Sequence, residues 1–153
     1  MVAYSELLRY IKSLAETEEY INTITMGEDL DLDKSNVFPL FNVDVIQGTF
    51  TSNATVSFDV ELVVLDVRSI NKEDNTDKFY GNDNEVDNHN ATISALNNIW
   101  VKMHRGFADN NITASDNPSL QKFTYSDKNL LDGWSISFNV ELPTNGVDIC
   151  FGC

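Results

Sequence analysis

The chain has 153 residues, enough for one real hydrophobic core and too few for two comfortable ones. Apolar residues make up 42% of it and aromatics 10%, too rich a composition for wholesale disorder. With 24 acidic against 10 basic residues the formal charge is −14, which disfavours gripping a nucleic-acid backbone or an anionic lipid surface.

Tyr4, Leu7, Leu8, Ile11, Leu14 and Ala15 recur at spacings of three and four, so residues 5–17 are expected to form an amphipathic helix. The first residues hold no uninterrupted apolar core of signal-peptide length, and no window approaches eighteen apolar residues. A protein made and used without crossing a membrane is expected. Ile21 and Ile24 among threonines then suggest a short strand that stops at Gly27.

The stretch "GEDLDLDKSNVFPL" places Asp29, Asp31 and Asp33 at alternate positions. An EF-hand loop starting at Asp29 would need glycine sixth and glutamate twelfth, where Lys34 and Leu40 stand. An extended chain instead sends the three acids to one side and Leu30 and Leu32 to the other. That describes an amphipathic edge or connector, with Leu30 and Leu32 as candidates for a buried contact, and no metal ligands are expected here.

After Pro39, Phe41, Val43 and Val45 alternate with Asn42 and Asp44 in a strand, and "GTFTSNA" from Gly48 reads as a hairpin loop. In "TVSFDVELVVLDV" one face is apolar throughout, from Val56 to Val64. The other face begins with Ser57, Asp59 and Glu61 and continues with Val63, Leu65 and Val67. The first half should have one wet face, and the second should be covered on both sides, by helices or a neighbouring subunit. Residues at about 69–85 form a long polar loop in which Phe79 and Tyr80 stand out as docking candidates. A second helix follows, with a core stripe of Val86, Asn90, Ile93, Leu96, Trp100, Met103 and Phe107 and a stop at Gly106. "ADNNITASDNPS" reads as a loop, "LQKFTYS" as a short strand, and "DGWSISFNVELP" as a half-buried strand ended by Pro143. A short C-terminal tail spans about 144–153. The order predicts one α+β domain over residues 1–153, a mostly antiparallel sheet of four to five strands with two amphipathic helices on one face.

Chemical signatures are sparse. There is no G-x-S-x-G elbow and no G-x-G-x-x-G phosphate loop. His89 and His104 lie fifteen residues apart, so they cannot share a metal at i, i+4, and each is expected at the surface or as a cap. Cys150 and Cys153 form a lone C-x-x-C at the tail, expected as free thiols. Sequons at Asn53, Asn90 and Asn111 carry little without a secretion signal. Asp59 and Glu61, about 7 Å apart along one strand face, could suggest a glycosidase pair, but a solvated outer face is the favoured reading. No catalytic residue, cofactor or metal is expected, and no enzyme.

The segments "INTITMGEDLDLDKSNVFPLFNVDV" and "LLDGWSISFNVELP" flank a long half-buried strand, the polar "YGNDNEVDN" loop and a helix. In this order they resemble the tail-terminator and neck-ring (head-tail joining) virion proteins of bacteriophages, in particular versions from phages of Bacteroidota hosts. The resemblance implies a small α+β subunit in a homo-oligomeric ring, of six or twelve copies, at the head–tail junction. It implies neighbouring neck, portal-side or tail proteins as partners and double-stranded DNA passing without specific binding. It also implies assembly in the bacterial host cytoplasm and no membrane. In such a ring Leu30, Leu32, Phe79 and Tyr80 would be interface residues, and Asp59 and Glu61, with Asp44 third, would face the channel. The alternative is a monomeric ligand- or carbohydrate-binding module whose acids and aromatics converge in a pocket.

Overall fold

A computed structural model describes residues 3–27, 38–51, 54–68, 85–115, 117–126 and 130–144. Two helices, α1 (Ala3–Glu16) and α2 (Glu85–Asp109), cover one face of a mixed sheet. Its strands are β1 (Thr23–Met26), β2 (Leu40–Phe50), β3 (Thr55–Val67), β4 (Thr113–Ala114), β5 (Ser119–Ser126) and β6 (Leu130–Pro143). The order across the sheet is β1-β2-β3-β6, and β4 and β5 both pair with the far edge of β6. Every pairing is antiparallel except β1 with β2. The α+β class is as expected, with six strands rather than four to five. The additional one is β4, a two-residue strand within the stretch that reads as a loop.

The alternating strands explain the core. Phe58, Val60, Leu62 and Val64 of β3 face the helices beside Phe41 and Val43 of β2 and Ile136, Phe138 and Val140 of β6. Onto this face pack Leu7, Ile11 and Ala15 of α1 and Leu96, Ile99, Met103 and Phe107 of α2. Further along β3, Val63 and Leu65 are buried on the opposite face too, with Phe38, Leu40 and Leu131, and Phe123 packs against them. The expected covering of both sides is therefore present, and its outer part includes side chains of the chain itself.

Three expectations need correction. The inward stripe of α2 is Asn88, Thr92, Ala95, Leu96, Ile99, Met103 and Phe107, whereas Val86 and Asn90 are exposed and Ile93 and Trp100 lie at the border. The apolar pattern misleads in the first turns because polar residues there turn inward, Asn88 bonding to the end of β3 at Val67 O and Thr92 to the helix carbonyl of Asn88. Nor does α2 stop at Gly106. It runs to Asp109 and closes in a Schellman motif, with Asn111 in the left-handed region (φ 57°) and Ile112 N–H donating to Phe107 O at 2.8 Å. Gly106 instead lets the two helices approach: a Cβ there would lie 1.8 Å from the Tyr10 hydroxyl oxygen. Finally, β2 passes through Gly48 to Phe50, since the Phe58 ring occupies the space beside the missing Cβ.

The link after α1 is tied to the sheet by Tyr20, whose hydroxyl donates to Asp66 Oδ2 at 2.6 Å. Burial, then the bond to Asp66 and its charge, hold this phenol protonated well above its ordinary range. An unfolded chain loses that proton near pH 10, so the contribution is complete below pH 10 and is lost as the pH rises beyond it. Tyr20→Phe is expected to cost about 1 to 2 kcal/mol at pH 7 and to make the alkaline loss of stability shallower. Tyr10, raised by burial and by Asp109, retains part of that loss. Thermal melts from pH 7 to 11 check this, and parallel profiles for the two proteins would refute it.

Candidate functional site

Asp44, Asp59 and Glu61 share the sheet face turned away from the helices. Asp44 and Glu61 are direct cross-strand neighbours on β2 and β3, and Asp59 lies two residues before Glu61. Like charges opposite one another destabilise a sheet, so this arrangement is not explained by sheet stability. Asp59 is held from both sides: Gln47 Nε2 donates to its Oδ2 at 2.8 Å and Asn139 Nδ2 to its Oδ1 at 2.9 Å. A β-bulge at Ile46 makes the first bond possible, because the extra residue brings Gln47 rather than Ile46 opposite Asp59. Asp44 and Glu61 border a groove of about 370 Å³ whose apolar walls include Val63, Leu65 and Phe123. All three carboxylates are partly exposed.

Trp100 and Trp134 pack against the core on the helix side. The acids and the tryptophans therefore lie on opposite faces of the sheet and do not share a cleft. The ring of Trp100 meets that of Phe138 at a centroid distance of 5.1 Å and a tilt of 59°.

The neighbouring edge of the sheet is open. β1 covers β2 only from Leu40 to Val43, and among the described residues no strand pairs with the outer edge of β2 from Asp44 to Phe50. Two large apolar side chains stand out here, Ile46 at 53% and Phe50 at 75% exposure. Phe50 borders a groove of about 290 Å³ shared with Tyr4, Val56 and Phe58. Leu30, Leu32, Phe79 and Tyr80 lie outside the described residues, as do Asp29, Asp31, Asp33 and the two cysteines. The sequence pattern did not single out Ile46 and Phe50, because Phe50 falls in the stretch from Gly48 that reads as a hairpin loop and the alternation of β2 ends at Val45.

A second polar group assembles where β3 ends and α2 begins. Asp132 of β6 is 0% exposed and faces inward with Asp66. Arg68 grips it with both arms, Nε to Oδ2 at 3.0 Å and Nη2 to Oδ1 at 2.5 Å, and also reaches Glu85 Oε1 at 3.3 Å. Asn88 Nδ2 donates to Val67 O at 2.9 Å and approaches Asp132 Oδ2 at 3.4 Å. His89 is 8% exposed, contrary to the expected surface or capping position. Its carbonyl accepts from Trp134 Nε1 at 2.9 Å, and its ring meets the Trp134 ring edge-on. That backbone bond, one turn into the helix, draws His89 inward. Comparing only the two histidines with each other missed the informative spacing, Glu85 and His89 at i, i+4.

No protein-family model matches the chain, and no curated protein does. Among the described residues no helix is long and apolar enough to cross a membrane.

Proposed function

We propose that this chain is a ring-forming structural subunit of the phage head–tail junction, a tail terminator or neck ring that joins tail to head and lets DNA pass. The observation that carries the reading is the open outer edge of β2 with Ile46 and Phe50 exposed on it. An unpaired, apolar edge is a template for pairing with another chain, and natural monomers blunt such edges. The α+β fold is compatible with the small α+β subunit the resemblance implies, and Ile46 of that edge borders the same grooves as Asp44, Glu61 and Asp59, so the acids lie next to the edge. In a ring, carboxylates on the bore repel the duplex within a Debye length of about 8 Å, where lysines would add affinity at each phosphate. Asp59, Glu61 and Asp44 take that role in this reading, and Leu30, Leu32, Phe79 and Tyr80 contribute further to subunit contacts.

Native mass measurement tests it. The expected species is six or twelve times the 17.2 kDa chain, and Ile46→Lys with Phe50→Lys is expected to give a folded monomer whose melting midpoint, unlike that of the ring, does not change with protein concentration. A wild-type chain that stays monomeric at about 100 µM, well above the working range of a stable interface, would overturn the ring reading.

A further inference from the structure

The group around Asp132 contains an arrangement that internal ion pairing leaves incomplete. His89 Nε2 stands 3.5 Å from Asp132 Oδ1 and 3.7 Å from Glu85 Oε1, and one ligand atom from each of the three residues lies within 4.8 Å of the others. Neither ring nitrogen of this buried imidazole makes a hydrogen bond. A buried polar atom without a partner forfeits its hydration without return, and here Nε2 points between two carboxylates. Around a four-coordinate zinc with bonds of about 2.0–2.1 Å, tetrahedral ligand atoms are separated by roughly 3.3–3.4 Å. Two of the three separations are already within a few tenths of an ångström of that value.

We propose that Glu85, His89 and Asp132 form a binding site for a divalent transition metal, with zinc as the best match to one imidazole and two carboxylates. The helix supplies two ligands from one face, one turn apart, and β6 supplies the third. Arg68 then acts as the outer partner that orients a ligating carboxylate, a role hydrogen-bond donors commonly take around metal ligands. The carboxylates keep lone pairs beyond those the guanidinium uses, so Arg68 and the metal share Asp132. Lys122, with Nζ 3.8 Å from Glu85 Oε1, is the more weakly held competitor. A bound ion would fasten the first turn of α2 to β6. This inference is independent of the ring reading.

The test uses the full chain carrying Cys150→Ser and Cys153→Ser, so that the terminal C-x-x-C cannot bind the probe, after stripping with a chelator. Zinc chloride is titrated by calorimetry and thermal melting. One zinc per chain is expected, with a Kd of about 10 µM or tighter and a rise in midpoint of about 5 to 10 °C at a hundredfold excess over Kd. His89→Gln should abolish binding. Glu85→Gln, at a partly exposed position, should leave the metal-free fold intact and weaken binding at least about tenfold, the least that losing even a ligand's outer support usually costs. Absence of stoichiometric binding below about 100 µM in the parent would overturn the proposal. So would binding that survives both substitutions, which would place the ion elsewhere.

Discussion

Gly133→Ala is expected to prevent stable folding. A Cβ at this position would lie 2.0 Å from the Val64 carbonyl oxygen, 2.8 Å from Leu65 Cδ2 and 3.0 Å from the Val64 carbonyl carbon. The nearest obstacle is backbone, and that backbone belongs to β3, which pairs with β6 over the full length from Thr55 to Val67. Val64 cannot withdraw without breaking the central ladder of the sheet, and Leu65 is fully buried behind it. Overpacking a core usually costs about 1 to 3 kcal/mol; with a carbonyl oxygen as the immovable neighbour the cost should exceed that range. The other glycines provide a scale. At Gly106 the obstacle is a tyrosine side chain, and at Gly48 it is the edge of the Phe58 ring at 3.1 Å, both able to turn. The expected order of damage is Gly133→Ala, then Gly106→Ala, then Gly48→Ala, read from urea unfolding midpoints. A Gly133→Ala protein that unfolds within experimental error of the parent would refute the close β3–β6 approach.

What the sequence reveals about this fold follows the range of the forces involved. β3 and β6 are legible because each alternates over many residues, and alternation places Asp59 and Glu61 on one face without any knowledge of their partners. The parallel pairing of β1 with β2 is not legible, since four residues carry no mark of strand direction and the register is set by Pro39, whose carbonyl accepts from Asn22 and Thr23. β4 is too short to show a period. The first turns of α2 mislead for an energetic reason: Asn88 and Thr92 are buried with their side chains bonded to carbonyls, His89 is drawn in by its backbone bond to Trp134, and an apolar stripe is sought instead. The cluster around Asp132 draws on three elements separated by up to 64 positions, so only the Glu85–His89 spacing could have announced it. Gly133 falls within the stretch that reads as a strand, and the reason for a glycine there, a neighbouring carbonyl, appears only in three dimensions.

The second large effect is expected at Arg68. Asp132 is completely buried, and its charge is balanced by a guanidinium that donates to both of its oxygens and also approaches Glu85. Deleting the cation alone leaves a carboxylate in the interior without its main counter-charge, the case in which breaking a buried pair costs about 3 to 5 kcal/mol. Arg68→Met should reach that range, because Asn88 offers Asp132 only a long contact at 3.4 Å. Arg68→Lys should fall between, since an ammonium keeps the charge but cannot reproduce the two-armed grip. Removing both members is a different matter. Arg68→Met with Asp132→Leu withdraws the buried charge together with its partner, and replacing a buried pair by apolar groups is often neutral. The double variant should therefore be more stable than Arg68→Met alone, with a coupling of about 2 to 3 kcal/mol in a double-mutant cycle. Urea unfolding of the four proteins measures it. Additive losses would mean that water screens the pair and that Arg68 does not hold β3 and β6 together at this end of the sheet.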